Sequence, residues 1–153
     1  MILLFNNTKI TFKFSLRCFF IILFCLLLNS KVAFAQEVKI NTLLTTEGLN
    51  KDGFPVTYKN NFSLSDDKGV QYYVEWIDDQ NKHDILIKWF DSKDRLINYL
   101  LLKNFSKNIV RDYISFIKKN RSQFMIPNQL GAYYIYLYID NKLVSITKFN
   151  IIK

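Results

Sequence analysis

Cysteine is scarce and poorly placed for structure. The chain has two, Cys18 and Cys25, both inside an apolar run near the N-terminus. If that run is removed on export, the rest of the chain has no thiol, so disulfides are excluded and stability rests on the core alone. No cysteine stands at the expected cleavage boundary, which argues against a lipid-anchored lipoprotein. Histidine is rarer still. His83 is the single one, so a multi-histidine metal site is impossible, and any serine triad would have to be built around this imidazole. No serine occupies a glycine-flanked elbow, and Ser115, Ser122 and Ser145 lie in strand or loop contexts. A phosphate-binding loop, heptads, internal repeats and low-complexity tracts are also missing. The longest apolar run, Cys18 to Leu28, falls well short of the roughly 20 residues a bilayer span requires.

What is present begins with a targeting pattern. Lys9, Lys13 and Arg17 form a positive region, Cys18 to Leu28 an apolar one, and Ala33-Phe34-Ala35 a small-x-small cleavage site before Gln36. The expectation is a signal peptide over 1–35, a single domain over 36–153, and a secreted or periplasmic destination. The leader takes four basic and no acidic residues with it, leaving +4 of the +8 formal charge. Such mild basicity suits anionic lipid headgroups or glycans as readily as plain solvation, and export argues against nucleic acid as a partner.

The remainder is a succession of short β-rich runs separated by turn chemistry. Val38 to Leu43 alternates, Thr45 to Pro55 reads as a loop, and Val56 to Leu64 as a weaker run. Val70 to Ile77 and Ile85 to Phe90 flank the polar link Asp78 to Asp84 and are expected to be antiparallel neighbours. Alternation puts Tyr72, Val74 and Trp76 on one face of the first, and Ile85, Ile87 and Trp89 on one face of the second. Both tryptophans are therefore expected in the core. Arg95 to Lys103 follows as a strand, although Leu100-Leu101-Leu102 also permits a helix. Ile109 to Lys119 fits either period, with a strand favoured by its surroundings. The last stretch is the clearest: Tyr133 to Ile139 alternates strictly, the Asp140-Asn141-Lys142 turn follows, and Leu143 to Ile151 returns.

Seven or so strands at this spacing predict an all-β antiparallel sandwich or barrel. Pro127 to Gly131, Tyr133-x-Ile135-x-Leu137-Tyr138, the Asp140-Asn141 turn and the return ending at Phe149-x-Ile151 resemble the closing hairpin of bacterial immunoglobulin-like and fibronectin-III-like modules. The Trp76 to Trp89 segment, with the Asp91 to Asp94 turn after it, is similar to the central hairpin of exported sandwich domains of that kind. The chain departs from antibody-type domains in having no cysteine pair that brackets a tryptophan. The resemblance implies an immunoglobulin-like β-sandwich and an exported location; it implies no particular activity.

Candidate sites follow from the residues left over. Asp79-x-Asn81-x-His83 opens like a calcium loop, but Asp84 stands where glycine is needed and Phe90 where glutamate is needed. No metal and no cofactor is expected, and His83 reads as a polar residue at a strand edge. The pairs Asp66 with Asp67, Asp78 with Asp79, and Asp91 with Asp94 offer carboxylates for a small hydrolase, yet each falls in a turn. A small-ligand barrel is the other alternative, and it requires an apolar cavity between the sheets. Lys118, Lys119 and Arg121, supported by Lys103, Lys107 and Arg111, form one basic cluster that either docks an anionic surface or is simply solvated. Tyr134, Tyr136 and Tyr138 line the strand face opposite Ile135, Leu137 and Ile139. Such a row is a contact surface for a protein or cell-envelope polymer, or else a consequence of tyrosine's preference for half-exposed strands. The leading expectation is a non-catalytic binding or structural module.

Overall fold

The computed structural model describes residues 37–119 and 123–153; the expected signal peptide and Arg121 lie outside them. Eight strands form two sheets. The three-stranded sheet has the order β1 (Ile40–Thr46), β3 (Gly69–Trp76), β6 (Ile109–Ser115). The five-stranded sheet has the order β2 (Asn61–Ser63), β8 (Lys142–Ile152), β7 (Gly131–Ile139), β4 (His83–Phe90), β5 (Leu96–Phe105). All pairings are antiparallel except β2 with β8, which is parallel.

This connectivity is that of an immunoglobulin-like sandwich. The first part of the chain contributes to both sheets, β1 to one and β2 to the other. The chain then crosses between the sheets from β3 to β4, back from β5 to β6, and again from β6 to β7. No helix occurs among the described residues, and none of them forms a helix long and apolar enough to cross a membrane.

Strand periodicity explains the core. On β7, Tyr133, Ile135, Leu137 and Ile139 are buried while the residues between them are half-buried. On β4 the buried set is His83, Ile85, Ile87 and Trp89. The two-residue Asp140-Asn141 connection has φ of 50° and 64°, the left-handed pair that matches strand twist in a tight hairpin and that asparagine and aspartate tolerate. Aromatic rings fill the centre: Trp89 lies 5.3 Å from both Tyr72 and Phe149, and Tyr133 stacks on Phe149 at 5.4 Å.

One expected pairing is corrected. β3 and β4 are not neighbours; β3 pairs with β1 and β6, and β4 with β5 and β7. Each has a wholly buried face, and the polar link between them carries the chain across the core so that those faces oppose, bringing the Tyr72 and Trp89 rings together. Consequently β7 lies beside β4, with Leu137 opposite Ile87. The weak run Val56 to Leu64 contracts to Asn61–Ser63, because Val56 and Tyr58 are exposed and bury nothing. Ile109–Ser115 is a strand, as is the leucine-rich β5.

Candidate functional site

Tyr134, Tyr136 and Tyr138 point away from the core, and their neighbours on adjacent strands extend the row sideways. Tyr134 is paired with Phe90 and Lys148, Tyr136 with Lys88 and Ile146, and Tyr138 with Leu86 and Leu143. On β5, Leu101 is paired with Leu86 and Tyr99 with Lys88. The outer face of four strands is thus mainly aromatic and aliphatic, with Lys88 near its middle and Lys148 beside Tyr134. The Phe90 and Tyr136 rings meet at 5.2 Å, and the Lys88 ammonium lies 5.4 Å over the Tyr138 ring, a cation–π contact that holds the charge within the apolar surface. Phe124 extends the patch against Tyr99 at 5.6 Å. Tyr99, Leu101, Leu143 and Ile146 are each between 41% and 50% exposed, so no second layer among the described residues covers this face. Alternation in β7 identified the tyrosines, but their β5 and β8 companions became visible only with the strand order.

Of the basic residues expected to cluster, Arg111 lies within β6 and Lys118 and Lys119 follow its end, while Arg121 lies outside the described residues. Lys118 and Lys119 are exposed after β6, on the three-stranded side, whereas the tyrosines belong to the five-stranded sheet. Arg111 is paired with Tyr73, and its guanidinium lies 5.8 Å over that ring and 5.9 Å over Phe54 on the outer face of the three-stranded sheet. Gly53, with a φ of 82°, brings the preceding loop against the same guanidinium in a way a Cβ would block.

The carboxylate pairs are divided between the two ends of β4, about 25 Å apart by strand rise. Asp91, 1% exposed, accepts the backbone N–H groups of Lys93 and Arg95 on one oxygen and the Arg95 guanidinium on the other. Burial works against its ionisation, but the Arg95 N–H and guanidinium and the Lys93 N–H outweigh it and hold the carboxyl below its ordinary range. Asp67 accepts from Lys59 and from the Ser63 N–H, and Asp78 accepts the Gln80 N–H. Each carboxylate serves its own turn.

His83 is a structural junction that the sequence did not reveal. It is 6% exposed; its Nδ1 lies 2.7 Å from Asp140 Oδ2, and its Nε2 lies 3.0 Å from Asp79 Oδ1. With a carboxylate at each nitrogen, the imidazolium donates both bonds. Burial alone would lower its pKa, but the hydrogen bonds to Asp140 and Asp79, and then their charges, raise it above its ordinary value. Asp79 is lowered to about 2, first by the Asn81 side chain and then by His83.

A ligand barrel requires an apolar cavity at the tryptophans, but Trp89 packs against Tyr72 and Phe149, and Trp76 against His83 and Phe105 at 6.4 and 6.3 Å. Open volume lies instead at one edge of the sandwich, between β5 and β6.

The chain is similar to the crystal structure of an immunoglobulin-like protein from Pseudomonas aeruginosa, at 6% identity and a TM-score of 0.48, covering 75% of this chain and 96% of that one. It is also similar to part of an alkylpurine DNA glycosylase from Pseudomonas fluorescens bound to DNA containing an abasic site analogue, at 11% identity and a TM-score of 0.45. That match covers 76% of this chain and 31% of the glycosylase chain. No protein-family model matches the sequence, and no curated protein matches it significantly.

Proposed function

We propose that this chain is an exported, non-catalytic module of the cell envelope that binds a protein partner through the outer face of its five-stranded sheet. The observation that carries the reading is the uncovered aromatic and aliphatic surface centred on Tyr136, flanked by exposed Tyr99, Leu101, Leu143 and Ile146. Exposed apolar patches on a sheet face are a common feature of association sites. Tyrosine suits such a site because its rigid ring contributes a large contact area while its hydroxyl stays wet.

The aliphatic residues favour protein over glycan. A sugar-binding face needs hydrogen-bonding groups between its rings; here Leu86, Leu101, Leu143 and Ile146 take most of those places, with Lys88 and Lys148 the polar exceptions. Four strands by three outward positions span about 14 by 14 Å, the buried centre of an interface rather than the whole of it. Export rests on the leader-like pattern over 1–35.

A photocrosslinking amino acid placed at Tyr136 and expressed in the source cells tests the reading. The expected result is one discrete protein adduct that is absent when the label stands at exposed Glu47. Labelling of envelope polymer instead would move the partner class, and no adduct above the Glu47 control would contradict the proposal.

A further inference from the structure

β5 is the last strand of the five-stranded sheet, so one of its two backbone edges has no strand beside it. From outside the sheet, the Phe124 N–H donates to the Ile97 carbonyl. Backbone groups alternate in direction along a strand, so Tyr99, Leu101 and Lys103 turn theirs outward as well, while Asn98, Leu100 and Leu102 turn theirs to β4. The bridge from Asn98 to Gln123 covers one end of this edge. At the other end, Asn104 has a left-handed φ of 51° and donates its N–H to Asp84 Oδ1. Residues 99–103 remain between these limits, and among the described residues nothing pairs with the Leu101 and Lys103 backbone or with the Tyr99 carbonyl. An open edge of this kind is a template for another strand.

The side chains on this stretch complement themselves. On the inner face Leu100 and Leu102 are only half-buried and line the open volume between β5 and β6, in contrast to the fully buried inner face of β7. On the outer face Tyr99 and Leu101 are 41% and 47% exposed, and Lys103 is exposed. When a second copy pairs antiparallel about a two-fold axis at Leu101, Leu101 faces Leu101 of the second copy, Tyr99 faces Lys103, and Leu100 faces Leu102. The leucines then meet one another on both faces, and each Lys103 lies beside a tyrosine ring, as Lys88 lies over Tyr138 within the sheet. Neighbouring registers fail. An axis at Leu102 opposes Leu101 to Lys103, one at Lys103 opposes two ammonium groups, and one at Leu100 or Tyr99 runs into the Gln123 bridge.

We propose that the chain forms a two-fold dimer by antiparallel pairing of β5 with β5 of a second copy, centred on Leu101. Each Leu101 N–H donates to the Leu101 carbonyl of the other copy, and each Lys103 N–H to a Tyr99 carbonyl, so the two five-stranded sheets become one. Their outer faces join edge to edge, which puts both tyrosine rows on one continuous surface. The pairing uses the strand edge and stands independently of any partner bound by that surface.

Sedimentation of the mature chain, Gln36 to Lys153, tests the pairing. A contact this short belongs to the weak end of interfaces, so a monomer–dimer equilibrium with a dissociation constant of about 10 to 1,000 µM is expected. Leu101→Lys should weaken it at least about tenfold by opposing like charges, and an equal mixture of Leu101→Lys with Leu101→Glu should restore association to within about threefold of the wild type. Leu101→Cys, the single thiol of the mature chain, should oxidise to a disulfide-linked dimer, because its two copies would stand about 5.5 Å apart between Cα atoms. Leu143→Cys, at a position 49% exposed on the same face, should not. Tyr136→Ala with Tyr138→Ala should leave the equilibrium unchanged, which separates this contact from the partner face. The proposal is overturned if the wild type sediments as a monomer throughout that range, or if the lysine and glutamate mixture associates no better than either variant alone. It is equally overturned if Leu101→Cys links no faster than Leu143→Cys, or if the double tyrosine variant abolishes the dimer.

Discussion

His83 Nδ1 lies 2.7 Å from Asp140 Oδ2, which ties the first residue of β4 to the β7–β8 turn 57 positions further along the chain. The other oxygen of Asp140 accepts the Asp84 N–H at 2.9 Å, so one carboxylate clamps two consecutive residues of β4. With Asp79 at the opposite ring nitrogen and Trp76 against the ring edge-on at 6.4 Å, the histidine is enclosed by two negative groups and an aromatic wall.

Stability should therefore depend on pH in a definite sense. The His83 pKa is raised in the folded state, so its contribution is complete below the ordinary value of 6.5 and is lost as pH rises through the folded value. Asp79 is depressed, so its contribution is present above its ordinary 3.8 and is lost as pH falls through about 2. Urea melts run from above the Asp79 transition into the alkaline range should show a decline on the alkaline side that His83→Gln abolishes. The variant should cost about 2 kcal/mol at the acid end of the series, the scale of a charge-assisted hydrogen bond. An unchanged alkaline slope in His83→Gln would contradict the clamp.

Asp91 holds the β4–β5 turn through two backbone N–H groups and a guanidinium while nearly inaccessible to solvent. Asp91→Ala should destabilise by about 3 kcal/mol, because it frees buried donors and one member of an ion pair together. Asp94→Asn, on the exposed side of the same turn where a φ of 57° is tolerated by asparagine, should change stability by no more than about 0.5 kcal/mol. Guanidinium unfolding of the two variants side by side checks the contrast.

Export makes its own prediction. Intact-mass measurement of the protein recovered from its source should give a chain beginning at Gln36, and Ala35→Leu should leave the leader attached by spoiling the small residue at the cleavage boundary. A chain still carrying residues 1–35 in the wild type would contradict the expectation.

How far the sequence could be read depended on whether its signal was local. The strict alternation from Tyr133 to Ile139 established both faces of β7, and the inward tyrosine and aliphatic residues are buried as expected. Alternation also put Trp76 and Trp89 in the core. It could not say which strands adjoin, because an inward face looks the same whether its neighbour lies beside it or across the core; hence β3 and β4 were wrongly paired. His83 was read as a simple polar edge residue because one of its two partners is 57 residues away. The tyrosine row is wider than the sequence shows because Tyr99, Leu143 and Ile146 join it only through strand order.

The most direct test of the binding face is a double substitution, Tyr136→Ala with Tyr138→Ala, followed by retention of the partner that the crosslinker at Tyr136 identifies in the wild type. Because both side chains stand outside the core, the variant should melt within a few degrees of the wild type. Partner retention should fall at least about tenfold, the scale of losing aromatic anchors at an interface. Undiminished retention by a folded double variant would contradict the account.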